Sequence, residues 1–77
     1  MEYEERIKKD VDLLKKNLKE IQSLDFTAKE KEIIERAENY QEDTLYYLEK
    51  KDFITSFGCI TYAHGLIDSL RIIYDLI

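Results

Sequence analysis

The sequence predicts an all-α domain: an antiparallel three-helix bundle, up-down-up, with helices over about 3–23, 28–50 and 53–75. Three observations predict it. The 77 residues contain no proline and only two glycines, so little punctuates strands or long loops. Apolar residues recur at three- and four-residue spacing through nearly the whole chain, the period of one helix face. Only two short breaks interrupt that period, Leu24-Asp25-Phe26 and Lys51-Asp52, and links this short make successive helices antiparallel neighbours.

In the first helix Tyr3, Ile7, Val11, Leu14, Leu18 and Ile21 form one seam. Glu2, Glu4 and Glu5 lead it and Lys15, Lys16 and Lys19 trail it, an order that complements the helix dipole. The second helix opens on Thr27 and Glu30, an S/T-x-x-E capping box with Thr27 as N-cap. Ile33, Ile34, Ala37, Tyr40, Leu45, Tyr47 and Leu48 lie on one broad face, and Tyr46 points away from it. Asp52 is the expected N-cap of the third helix.

The third helix carries two apolar stripes. Cys59, Ile60, Ala63, Leu66, Ile67, Leu70, Ile73, Tyr74 and Ile77 are expected to face the core. Roughly 140–150° away on a helical wheel lie Ile54, Gly58, Thr61, Gly65, Ile72 and Leu76, apolar at the ends and small in the middle. Thr55, Tyr62 and Ser69 border this stripe on one side, His64, Asp68, Arg71 and Asp75 on the other. An exposed mid-helix glycine costs about 1 kcal/mol relative to alanine, so two on one face call for a compensating close approach of another backbone. The two neighbours of a helix in a triangular bundle lie only about 60° apart around it. Two stripes much farther apart predict that the second packs on another chain, most simply in a two-fold homodimer. The other arrangement is a wide core face in which the first helix covers the glycines.

The formal net charge of -5 and the interleaving of lysines with glutamates argue against a nucleic-acid partner. A single cysteine, Cys59, cannot form an intrachain disulfide, and with His64 it cannot supply four zinc ligands. No apolar run is long enough to span a membrane, and the charged start MEYEERIKKD lacks the core of a signal peptide. The expectation is a single cytoplasmic domain over residues 1–77 with no membrane association. Walker, GxGxxG, GxSxG and HExxH motifs are absent. No catalytic, cofactor-binding or metal-ligating set is therefore assigned, and the chain is expected not to be an enzyme.

Weaker candidates remain. His64 and Asp68, four apart, share one helix face and could hold a metal with a third ligand; the simpler expectation is a hydrogen bond between them at the core edge. Asp68 and Arg71 are spaced for an ion pair. Cys59 lies on the core stripe, and five residues along a helix point it about 140° from His64, against a nucleophile–base pair. Tyr46 and Tyr62 stand off the main seams. With His64 and Asp68 they make the candidate ligand or partner surface, beside the candidate interface Ile54, Gly58, Thr61, Gly65, Ile72 and Leu76.

The segment YQEDTLYYLEKKDFITSFGCITYAHGLIDSL, Tyr40 to Leu70, resembles the archaeal family known as domain of unknown function 357. The resemblance runs through Tyr40, Asp43, Tyr47 to Lys50, Asp52-Phe53, Phe57-Gly58 and Tyr62 to Asp68, and departs at Lys51, where glycine is expected, and at Ser56, where alanine is expected. It implies a compact helical domain without an established activity, and makes Tyr62, Gly65 and Asp68 the residues to watch. The helix–tight turn–helix pattern is also similar to HEPN domains, which include ribonucleases with an arginine five to seven residues before a histidine. Here those positions are Phe57, Gly58 and Cys59. The expected function is thus a helical interaction module dimerising through the third helix. The alternative is an HEPN-like module binding RNA or nucleotide.

Overall fold

A computed structural model describes residues 2–77. It contains α1 (Tyr3–Ile21), α2 (Ala28–Glu49) and α3 (Phe53–Ile73), and no strand among the described residues. The three-helix bundle is as predicted. None of its helices is long and apolar enough to cross a membrane.

Local chemistry sets the helix starts. Glu30 N–H donates to Thr27 Oγ1 at 3.2 Å, and Thr27 N–H donates to Glu30 Oε1 at 2.9 Å, completing the capping box. Asp52 Oδ1 accepts from Thr55 N–H at 3.2 Å. These caps satisfy backbone donors that the first helical turn leaves orphaned.

The helices end one or two residues before the predicted boundaries, at 21, 49 and 73 rather than 23, 50 and 75. The last two stop because a left-handed residue lies just beyond: Lys51 at φ 64° and Asp75 at φ 60°. Both ends are Schellman motifs. Asp52 N–H donates to Tyr47 O and Lys51 N–H to Leu48 O, both at 3.0 Å. Leu76 N–H donates to Arg71 O at 2.8 Å and Asp75 N–H to Ile72 O at 3.1 Å.

Ile7, Val11, Leu14 and Ile21 of α1, Ala37 and Leu48 of α2, and Ile60, Ala63, Ile67 and Leu70 of α3 are buried. Cys59, Leu66 and Tyr74 of the expected stripe are half-buried. Ile73 and Ile77 are not in the core. Each is 62% exposed. Ile73, the last residue of α3, lies roughly 100° around the helix from the buried line of Ile60, Ala63, Ile67 and Leu70, and the chain turns off the helix axis at Asp75, so a helical wheel does not place Ile77. Tyr3, at the first position of α1, and Tyr40 and Leu45, at the edges of the apolar face of α2, are exposed as well.

Three polar residues are buried that the apolar pattern does not signal: Asn17, Thr44 and Ser56. Ser56 Oγ donates to Thr44 O at 2.7 Å and Thr44 Oγ1 donates to Tyr40 O at 2.8 Å, so both hydroxyls are satisfied where α2 meets α3. Ser56, where the resemblance expects alanine, is thus fully buried and ties the two helices together.

Helix α3 packs on both α1 and α2, which touch each other only sparsely. At the far end Tyr74 O–H donates to Glu30 Oε1 at 2.6 Å and its ring meets Phe26 edge-on, 5.1 Å between centroids. The side of α3 facing away from both neighbours is left open.

Candidate interaction surface

The open side of α3 is the predicted second stripe. Ile54 is 89% exposed and Ile72 60%, and Thr61 and Leu76 are also exposed. A Cβ built on Gly58 or Gly65 would meet no atom within 4 Å. Helix α1 therefore does not cover the glycines, and the wide-core arrangement is not the one adopted. Directly behind this face Ile60, Ala63 and Ile67 have no exposure at all.

Apolar residues flank the face. On the α1 side stand Leu13 and Phe57, both exposed. On the α2 side Tyr40 and Tyr62 pack edge-on, 4.7 Å between centroids. At the N-terminal end of α3 a recess of about 470 Å³ is lined by Tyr3, Lys51, Asp52, Phe53, Ile54 and Phe57. Sequence reasoning missed Leu13 and Phe57 as members. The available signal was Leu13 lying off the α1 seam and Phe57 one turn from both Ile54 and Thr61.

His64 does not bond Asp68. Its Nε2–H donates to the Asp10 carbonyl of α1 at 2.7 Å. Asp68 instead accepts from Arg71 Nη1 at 2.9 Å, the expected ion pair, and Arg71 Nε also donates to Glu20 at 3.3 Å. The bond to Asp68, with support from Glu20, holds the guanidinium pKa above its ordinary value although burial opposes it. His64 and Asp68 border one shallow hollow with Arg6, Asp10, Leu13, Phe57 and Thr61. There the Arg6 guanidinium lies 5.8 Å from the Phe57 ring centroid and 3.6 Å from the Asp10 carboxylate. Of the polar groups of this hollow, His64 joins α3 to α1, while Arg6 and Asp10 pair within α1 and Asp68 pairs with Arg71 within α3.

The four candidate surface residues do not make one patch. Tyr62 belongs with Tyr40, at the α2 edge. Tyr46 lies on the outer side of α2, against Tyr47 and beneath Lys50 Nζ. Among the described residues no three His, Cys, Asp or Glu side chains gather as a metal would need. Burial pushes the Cys59 thiol pKa up, and Asp43 and Asp52 add to the rise, which favours the unreactive protonated form.

Fold and surface together define a small all-α bundle whose central helix presents an outward apolar face, thinned in the middle by two glycines. Residues 9–76 match the model of a family described as a protein of unknown function (DUF357), and the chain belongs to that family. No curated protein matches the sequence.

Proposed function

We propose that this protein is a non-enzymatic helical interaction module that self-associates through the outer face of α3. One observation carries the reading: Gly58 and Gly65 each cost about 1 kcal/mol of helix propensity in a place where the single chain has no need of a small residue. Ile54 and Ile72 bracket them with apolar surface that the chain does not bury. A second helix crossing at the glycines would approach closely and cover both isoleucines.

The RNA- or nucleotide-binding alternative finds no support in the hollow beside His64. Asp10 and Asp68 place negative charge there, Arg6 is paired with Asp10, and the Nε2 proton of His64 is already donated to a carbonyl.

Sedimentation equilibrium between micromolar and several hundred micromolar tests self-association. The wild type should dimerise, and Gly65→Leu should be monomeric with unchanged helix content by circular dichroism. A wild type that stays monomeric throughout, or a Gly65→Leu variant that dimerises normally, ends the reading.

A further inference from the structure

Helices α1 and α2 both rest on α3 and hardly touch each other, and a groove of about 510 Å³ lies between them near the link that joins them. Leu18 of α1, Phe26 of the link and Ile34 of α2 line it, each half-buried and packed on the core. The floor is thus an outer layer of the core with one side uncovered. The Phe26 ring is held by Tyr74, which it meets edge-on at 5.1 Å, and Tyr74 is itself bonded to Glu30. This wall of the groove is formed in advance, so an occupant has little to order.

The two rims carry opposite charge. Lys15 and Lys19 stand exposed on the α1 rim and Glu38 on the α2 rim. None of the three forms an ion pair among the described residues, while Arg6, Lys8, Lys29, Arg36, Lys51 and Arg71 all do. Lys15 and Lys19 are four apart, a spacing at which like charges repel along a helix. An anionic group between them would relieve that repulsion.

We propose that this groove docks an amphipathic helix of a partner protein. Its apolar stripe rests on Leu18, Phe26 and Ile34, one flank brings carboxylates to Lys15 and Lys19, and the other brings a cation to Glu38. The docked helix completes a four-helix bundle with α1, α2 and α3. Lys15 to Lys19 and Ile34 to Glu38 each span four residues, about 6 Å, so roughly two turns of the partner make the contact. A contact of that size is weak, and the charged rims then carry much of its selectivity. The chain's own exposed apolar stripe does not fit the description. Along one flank of α3 stand Thr55, Tyr62 and Ser69, none of them charged. The groove shares no lining residue with the outer face of α3, so it goes beyond the self-association argued above and is open to a partner in the monomer.

Two synthetic helical peptides with the same leucine stripe test the proposal. One has glutamate on one flank and lysine on the other in equal number; its control has glutamine on both. Titrated at low salt into the isotope-labelled chain, the charged peptide should bind about fivefold more tightly than the control, since exposed ion pairs are individually weak. Amide shifts should centre on Leu18 and Ile34. Lys15→Glu with Lys19→Glu, at exposed positions that the fold does not use, should weaken the charged peptide about fivefold and leave the control nearly unchanged. Ile54→Glu on the outer face of α3 should alter neither affinity. Equal affinity of the two peptides for the wild type overturns the proposal, as do shifts centred on Ile54 and Ile72. Shifts at Leu18 and Ile34 that appear on concentrating the chain alone overturn it too, because the occupant would then be a second copy. Self-association is read by sedimentation without peptide, so either reading can fail while the other stands.

Discussion

His64 donates from Nε2 to the Asp10 carbonyl at 2.7 Å, so α3 is held to α1 through a backbone acceptor 54 residues away in the chain. Arg71 and Glu20 repeat the tie further along the same seam. Removing the imidazole leaves a cavity at a half-buried position and cancels one of these ties. His64→Ala should lower the unfolding free energy by about 1–2 kcal/mol, read from the urea midpoint with an unchanged slope. An unaltered midpoint would mean the bond contributes nothing net.

The clasp between Tyr74 and Glu30 gives stability a dependence on pH at both extremes. The hydrogen bond from Tyr74, with that from the Thr27 backbone, holds the Glu30 pKa below its ordinary 4.5. The contribution is therefore complete above 4.5 and lost as pH falls through the lower folded value. The same bond, with burial, raises the Tyr74 pKa above 10.0. That contribution is complete below 10.0 and lost as pH rises through the higher folded value. Thermal melts of Tyr74→Phe against wild type should show a difference near neutrality that narrows at both ends of the scale.

Lys51 occupies a left-handed conformation at φ 64°, where a Cβ costs about 1–2 kcal/mol, and its ammonium bonds Glu4 at 3.1 Å. The exposed ion pair is worth roughly 0–1 kcal/mol, less than the strain. Lys51→Gly should accordingly raise the thermal midpoint, while Lys51→Ala, which keeps the strain and loses the ion pair, should lower it.

Open space beside both glycines fixes the sign of another pair of substitutions. At concentrations low enough to keep the chain monomeric, Gly58→Ala and Gly65→Ala should each stabilise it by about 1 kcal/mol, because the new methyl meets nothing. Chemical denaturation at low micromolar protein reads this directly. Destabilisation of the monomer would show that the face is not open.

Whatever depended on a few neighbouring residues was legible in the sequence. The capping box at Thr27 and Glu30, the Asp52 cap and the register of Ile60, Ala63 and Ile67 all come from spacing alone. So does the open stripe, since a wheel suffices to separate Gly58 and Gly65 from the core. The partner of His64 was not legible, because a carbonyl has no residue-type signature and every position of α1 offers one. Exposure of Ile77 was missed for a different reason. Periodicity extends a helix until something stops it, and Asp75, the residue that does so, is only a weak breaker. The buried hydroxyls of Thr44 and Ser56 were hidden because polar residues default to the surface until a close helix contact supplies their acceptors.

Because α1 meets α3 along one seam and hardly meets α2, the molecule should not open uniformly. The first sub-global excursion is the release of α1 as a unit, with the α2–α3 hairpin still paired across Ala37, Thr44, Ser56 and Ala63. Amide protons of α1 would then exchange with solvent through a smaller free-energy gap than those in the middle of α3, where only complete unfolding gives access. The helix with the open outer side is thus also the last to lose its shape.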